Sequence, residues 1–432
     1  MTERLSRNVK ALGFVSLLTD IGTEMIYPLL PLFLTGVLGA SGTFVGVIEG
    51  MADTTSAMLK LASGWWTDRV RHRKPLVAAG YVVSAVARPL LALATASWHV
   101  LAVRTSDRVG KGIRTSPRDA LLADSSRPSQ RGRAFGFHRA LDNLGAVAGP
   151  LVAWLLYDVL HTGMRTVFAA SAVPGALSVI VLLWFVRERT RGAGAECPGE
   201  SARGAGAECP GESARGAAEE DPTGSAAGHR PAERHAAAPA ADPVALPSAF
   251  WRYIAVVFIF TLGASTDAFL LLRAQQLGVP VAQIPILYAA HNLVRAASST
   301  PGGALSDLVG RRPVIIAGWA LYAAVYLAFA VAGGPWQVWV AFLAYGLFFG
   351  LTEGTEKALV ADLVPARRRG TAFGWFNFAV GVAALPASVV FGLVWDRFGP
   401  APAFTMGAAL AAVAATGLWI VVPRRTLKGA AM

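Results

Sequence analysis

Cysteine is almost missing from this chain: Cys197 and Cys209 are the two in 432 residues. Both hold the same place in tandem copies of RGAGAECPGESA, beginning at Arg191 and Arg203. A duplication accounts for the pair without a disulfide or a metal site, and in the cytoplasm both stay thiols. The seven histidines show no ligand spacing with cysteine, so no metal centre is expected. A phosphate loop is missing too. RVGKG at Arg108 lies inside a membrane-length block rather than after a strand, so ATP is not expected to drive the protein. No nucleophile–base set is in view. An enzyme is the weakest reading, and no cofactor is expected.

Charge is scarce as well. Only 15% of residues are charged and 54% are hydrophobic, whereas a soluble domain keeps about 25% charged to stay wetted. The mean hydropathy is +0.48. Apolar residues come in blocks of about twenty, the length that crosses a hydrocarbon core. Twelve blocks begin near Ala11, Gly42, Pro75, His99, Ala134, Met164, Trp251, Ala282, Pro313, Gln337, Ala372 and Ala401. The predicted fold is an all-α membrane protein of twelve transmembrane helices. The N-terminus shows no cleavable signal pattern, so the first block reads as a true span.

Acidic residues are the rarer sign, 27 against 39 basic, for a net charge of +12. The basic excess is clustered at Arg69 to Lys74, Arg127 to Arg133, Arg311 and Arg312, Arg367 to Arg369, and Arg424 to Lys428, each after an even-numbered block. All five then fall on one side, the cytoplasmic one by the positive-inside rule, together with both termini. No aromatic-interleaved basic face appears, so nucleic acid is not an expected partner. The expected partners are the lipid bilayer, a small-molecule substrate and protons, with the protein a monomer in the cell (inner) membrane.

Residues 188–247 are rich in Ala, Gly, Pro and Glu without an apolar period. They are expected to form a disordered cytoplasmic linker between six-helix bundles at 1–187 and 248–432. The bundles repeat each other. GWWTDRVRHRK at Gly64 matches GALSDLVGRR at Gly303, ALLADS at Ala120 matches ALVADL at Ala358, and RGRAFGF at Arg131 matches RGTAFGW at Arg369. Parallel repeats of this kind place a substrate site at the midplane between two pseudo-symmetric halves.

These residues carry a resemblance over the whole chain outside the linker: it resembles a major facilitator superfamily (MFS) transporter. The loop signature between spans 2 and 3 is similar to Gly64, Asp68, Arg69, Arg71, Arg73 and Lys74, with a second copy at Gly303, Asp307, Gly310, Arg311 and Arg312. The family's span-4 arginine falls on Arg104. The span-5 element of the antiporter branch resembles Gly145, Gly149 and Pro150, although Ala153 and Trp154 stand where glycines usually follow. Span 1, DIGTEMIYPLLPLFL, resembles the drug/proton antiporters. The resemblance implies alternating access, with Gly64, Asp68, Arg69, Asp124, Arg133, Gly303, Asp307 and Arg311 as gating residues. In physical terms Asp68 can meet a helix N-terminus of the opposite half, and the arginines can pair with Asp124.

Ionisable residues at membrane depth point to function, because lipid penalises them. Arg104, Arg108, Lys111 and Arg118 fall within roughly an 80° arc of span 4, since successive residues turn about 100°. This cationic stripe is expected to face the central passage. It either binds an acid-bearing solute or is tied up in salt bridges with Asp20, Glu24 and Asp107. The repeat gives span 10 Phe342, Gly346 and Phe349 instead, then Glu356 opposite Arg118. Arg273, Glu353 and Glu356 join the stripe as candidate substrate contacts. Asp20 and Glu24, one turn apart in span 1, are candidate proton-coupling groups, because desolvation and nearby cations act oppositely on a carboxylate's protonation. Asp53, two turns from Lys60, and Asp267, the repeat partner of Glu24, are further candidates. Glu49 is expected near the outer surface, and Arg139 and Asp142 as an i,i+3 pair.

The expected function is proton-coupled export of a small organic solute. Uptake of an organic anion and a non-transporting sensor are the alternatives.

Overall fold

The computed structural model describes residues 5–67, 72–126, 131–188, 246–365 and 368–421. Ser6 starts the first helix: its side-chain oxygen accepts the Val9 amide at 3.3 Å, satisfying a donor that a helix start leaves open. Helix α1 (Arg7–Glu24) breaks at Met25–Leu29, around Pro28, and resumes as α2 (Leu30–Gly36). The two make span 1. The rest follow as α3 (Gly42–Thr67), α4 (Lys74–Ala87) with its 3₁₀ extension Arg88–Leu93, α5 (Ser97–Asp124), α6 (Arg131–Trp154) with a π-turn Leu155–Val159, and α7 (Met164–Ala170) continued by α8 (Ala172–Phe185). The second half holds α9 (Ser248–Gly263) continued by α10 (Asp267–Gln276), then α11 (Ile284–Val309), α12 (Arg311–Val331), α13 (Pro335–Leu363), α14 (Arg369–Phe398) and α15 (Pro400–Val421). Residues 189–245 lie outside the described residues, and contacts of the first half extend to Glu188, which accepts the Arg73 and Lys74 amides at the start of α4.

Eight of the twelve spans are long and apolar enough to cross a membrane on composition alone. The other four are α1/α2, α3, α5 and α11, and they are the ones that carry Asp20, Glu24, Asp53, Lys60, the α5 stripe and Arg295. Their polarity is turned inward. On α3, Glu49, Ser56 and Ser63 meet α5, while Gly46, Gly50 and Thr54 meet α14. At about 100° per residue, Asp53 and Lys60 fall between those two lines, toward the passage.

Two seams join the halves, α3 against α14 and α6 against α11. The first is shut along its length. A Cβ on Gly46 would stand 2.2 Å from the Ser388 carbonyl oxygen, and one on Gly381 2.1 Å from Ala57 Cβ, so small residues set the approach of the backbones. Within the first half the same device holds α1 on α6. A Cβ on Gly149 would lie 2.8 Å from both Ile21 O and Glu24 Cβ. Gly149→Leu is therefore expected to cost about 1–3 kcal/mol by overpacking, read as a lower melting temperature in detergent. Gly36→Ala, where nothing lies within 4 Å, is the neutral control.

The turns after α6 and α14 each hold one residue with a positive φ. Gly399 supplies it at φ 88° after α14, and His161, at the same place in the repeat, adopts φ 51°. Glycine does this without steric cost; histidine is among the side chains that tolerate it.

Candidate functional site

Helix α5 is 28 residues long, about 42 Å at 1.5 Å per residue, so Arg108 to Lys111 sit near its middle. Asp107, Gly110 and Arg114 face α4, and Arg104, Gly112 and Ser116 face α3. Lys111 and Arg118 lie on the arc between those faces, which points into the passage, and Arg108 lies beside it on the α3 side, between Arg104 and Gly112.

Three pairs close first. Glu49 takes Arg104 Nη2 at 2.7 and 2.8 Å and Arg104 Nε at 3.1 Å, both side chains 4% exposed. Glu49 is thus not at the outer surface, as its place near the start of its block suggested; α3 turns it onto α5. Asp107 pairs with Arg88 at 2.9 Å, and Arg88 also donates to the Thr19 carbonyl at 3.0 Å, tying α4, α5 and α1 together. Arg118 is held by its neighbour Asp119 at 2.8 Å. Sequence reading missed Arg88 and Arg114. Arg114 is buried, donates to Ser84 Oγ at 2.5 Å, and lies 4.4 Å over the Tyr81 ring. The signal for Arg88 was an arginine inside an otherwise apolar block.

What remains is a set of unbridged charges. Among the described residues, Asp20, Glu24, Asp53, Lys60, Arg108 and Lys111 make no ion pair within 4.0 Å, although Arg108 is only 8% exposed. Arg108 Nε and Glu24 Oε2 are buried without any hydrogen-bond partner. Lys111 lies within electrostatic reach of both Asp20 and Glu24, and Arg108 of Glu24. Buried polar atoms are nearly always satisfied. A cluster of orphans between cations and carboxylates is therefore a place for a ligand or a proton.

The second half meets this set differently. Glu353 of α13 accepts Arg295 of α11 at 2.8 Å and, across the halves, Arg139 of α6 at 2.7 Å, with Lys357 Nζ at 3.7 Å. Arg139 reaches Asp142 only at 3.9 Å, so its main partner is in the other half. These charges line a cavity of about 450 Å³ between α6, α11 and α13. Asp267 accepts the Tyr345 hydroxyl at 2.8 Å. Beside it, His291 stacks on Tyr345 at 5.2 Å between ring centroids, its Nδ1 3.2 Å from the Phe342 carbonyl and its Nε2 buried without a partner. Two expected substrate contacts stand apart. Arg273 caps the Phe329 and Ala332 carbonyls at the end of α12, at 3.2 and 3.4 Å; helix ends leave such acceptors open. Glu356 accepts Trp319 Nε1 at 2.9 Å, on the α12 side of α13.

The passage is shut at the end away from the basic loops. The Tyr27 hydroxyl is 3.3 Å from Thr266 Oγ1, and its ring is 5.4 Å from that of Tyr288. Asp396 of α14 accepts the Gly42 and Thr43 amides at 2.8 and 2.7 Å and the Thr43 hydroxyl at 2.6 Å. At the loop end, Arg73 pairs with Asp124 at 2.6 Å. In the other half Arg311 pairs with Asp307 and lies 3.6 Å from Asp362, the repeat partner of Asp124. A Cβ on Gly303 would meet nothing within 4 Å. Asp68 and Arg69 lie outside the described residues, as do the surroundings of Gly64 and Arg133.

Comparison with known proteins agrees with this architecture. The chain is 32% identical to an uncharacterised MFS-type transporter of Methanocaldococcus jannaschii over 95% of its own length and 93% of that protein's. It is 32% identical to the multidrug resistance protein MdtH of Photorhabdus laumondii over a shorter stretch, 38% of this chain and 42% of that one. The crystal structure of the nucleoside transporter NupG superposes with a TM-score of 0.70 at 14% identity, covering 96% of this chain and 99% of that one, a likeness of fold. The Major Facilitator Superfamily matches over residues 12–273 and 253–431. A two-fold pair of six-helix bundles around a charged passage, with this match over nearly the whole length, makes the chain a multi-pass membrane transporter, not an enzyme, of the major facilitator superfamily.

Proposed function

We propose secondary active transport of a small organic solute bearing an acidic group, by alternating access and coupled to protons. The unbridged set of Asp20, Glu24, Arg108 and Lys111 carries this reading. Protonation of Asp20 or Glu24 leaves Arg108 and Lys111 without a counter-charge, and an acidic solute then supplies one. Proton and anion favour each other's binding, and such coupling is reciprocal. The charge arrangement thus supports cotransport. Export by exchange is the second reading, supported by the partial likeness to multidrug-resistance proteins; there a solute without an acid competes with protons for the carboxylates. The basic loops support a cytoplasmic-membrane location with both termini inside.

Reconstitution in liposomes with imposed pH gradients tests both. Accumulation driven by acid outside supports cotransport, and accumulation driven by acid inside supports exchange. Arg108→Gln is expected to weaken apparent affinity for acid-bearing solutes by about 10–150-fold, the worth of one hydrogen bond to a charged group. Equal loss for acidic solutes and their neutral amides would reject the acid site.

A further inference from the structure

The pseudo-two-fold makes the seams α3/α14 and α6/α11 equivalents, yet they differ at the basic end. Gly374 on α14 and Gly136 on α6 hold the same place in the repeated RGRAFGF and RGTAFGW segments. A Cβ on Gly374 would meet Leu61 of α3 at 3.5 Å, whereas one on Gly136 would meet nothing within 4 Å. The α6/α11 seam holds at Asn292, whose side chain donates to the Ala146 carbonyl at 3.0 Å. Below that level it parts, and the 450 Å³ cavity occupies the gap. Its volume falls within the usual range for small-molecule pockets, about 300–1,000 Å³.

The walls of the gap have two characters. Gly136, Ala140, Ala296, Ser299 and Thr300 line it on α6 and α11. By their angular positions Ala140 and Ala296 are on the lipid side of the line of contact, and one turn deeper the exposed Leu144 and Leu293 extend that apolar edge toward the midplane. The floor is charged: Arg139, Arg295 and Lys357 against Glu353, with Arg139 and Lys357 more than half exposed. Lys357 stands six residues from the end of α13 and Arg139 eight from the start of α6, about 9 and 12 Å in from those ends. On a helix that just spans a bilayer of about 40–45 Å with its interfaces, that is roughly the depth at which headgroups give way to acyl chains. Three cations against Glu353, with Asp142 at the 3.9 Å limit of Arg139, beside an apolar edge match a molecule with an anionic head and a hydrocarbon tail.

We propose that the gap between α6 and α11 is a lateral binding site through which an anionic amphiphile dissolved in the adjacent leaflet reaches the central passage, its head on Arg139 and Lys357 and its tail along Ala140, Leu144, Ala296 and Leu293. This rests on the transport reading above and names the class of acid-bearing solute it would serve. In binding, the head takes the place of Glu353 on Arg139, a contact that bridges the halves beside this seam.

The test is equilibrium binding to the full-length protein in phosphatidylcholine nanodiscs. Three probes are compared: oleoyl lysophosphatidylglycerol, glycerophosphoglycerol (the same head without the chain) and oleoyl lysophosphatidylcholine (the same chain without net charge). The first is expected to bind at least about tenfold more tightly than either other. Ala140→Trp with Ala296→Trp, which fill the gap, and separately Lys357→Gln, on the exposed rim, are each expected to weaken it by about tenfold. Lys357→Gln keeps the test open should the double variant fold poorly. Equal binding of the bare head makes this a site for water-borne anions, and equal binding of the choline lipid makes it an apolar groove; either overturns the proposal, as does unchanged binding in Lys357→Gln. Arg108→Gln separates the two readings. It should weaken the apparent affinity of proton-driven transport by the factor given above while leaving lysophosphatidylglycerol binding at the gap intact.

Discussion

Glu49→Gln is expected to lower stability by about 3–5 kcal/mol, because it leaves the Arg104 guanidinium buried beside a neutral partner. Both side chains are 4% exposed and the contact is made through three hydrogen bonds. The neighbouring Tyr27 ring, 5.5 Å from the Arg104 guanidinium carbon, offers a weaker contact that does not replace a carboxylate. Arg104→Gln should cost a similar amount for the mirror reason. Removing both charges behaves differently: Glu49→Leu with Arg104→Met keeps the volume and strands no charge, so it is expected to melt within a few degrees of the parent. Thermal unfolding in one detergent, read for all four proteins, checks this. If the single and double variants lose equal stability, the pair is not a closed unit. The outcome bears on function, since a self-sufficient pair removes Arg104 from the substrate contacts and leaves Arg108 and Lys111.

The spans were legible because lipid imposes a length and a polarity that few sequences meet by accident. The repeat was legible because both halves keep the same loop residues. Pairing was harder, because it depends on how far each helix is rotated about its axis. Glu49 illustrates the point. Read along α3 alone it sits near an end, which suggested an exposed carboxylate. It lies seven residues from the start of α3, and Arg104 seven from the start of α5, two helices that enter from the same face; comparing levels would have brought them together. Arg273 shows a different limit. Its charge is satisfied by carbonyls at a helix end, and sequence alone does not show which neighbouring helix stops there. The set around Arg108 and Glu24 was legible as charge at depth, but only the geometry shows which members are left over once Glu49, Arg88 and Asp119 have taken their partners.

Asp396 carries the second large effect, on conformation rather than stability. Its three hydrogen bonds join α14 of one half to the first turn of α3 in the other, where the helix dipole adds to the attraction. The passage cannot open at this end while they hold. Because Asp396 is exposed and water competes for it, the set contributes about 2–3 kcal/mol, so Asp396→Ala should raise the ratio of open to closed molecules about 30–150-fold. Asp158 occupies the same place in the repeat, at the end of the α6 span. Its carboxylate accepts Trp154 Nε1 at 3.0 Å, a contact within its own half, so Asp158→Ala should leave the ratio unchanged. A cysteine at Leu34, which is 1% exposed in α2, reports the difference with Cys197 and Cys209 replaced by serine. A membrane-impermeant maleimide should label it faster in Asp396→Ala and at the parent rate in Asp158→Ala. Equal rates in both would mean that Tyr27, Thr266 and Tyr288 hold this end closed without the carboxylate. Acceleration in Asp396→Ala alone would show that the two seams open unequally, which a strict two-fold does not allow and the parted α6/α11 seam already implies.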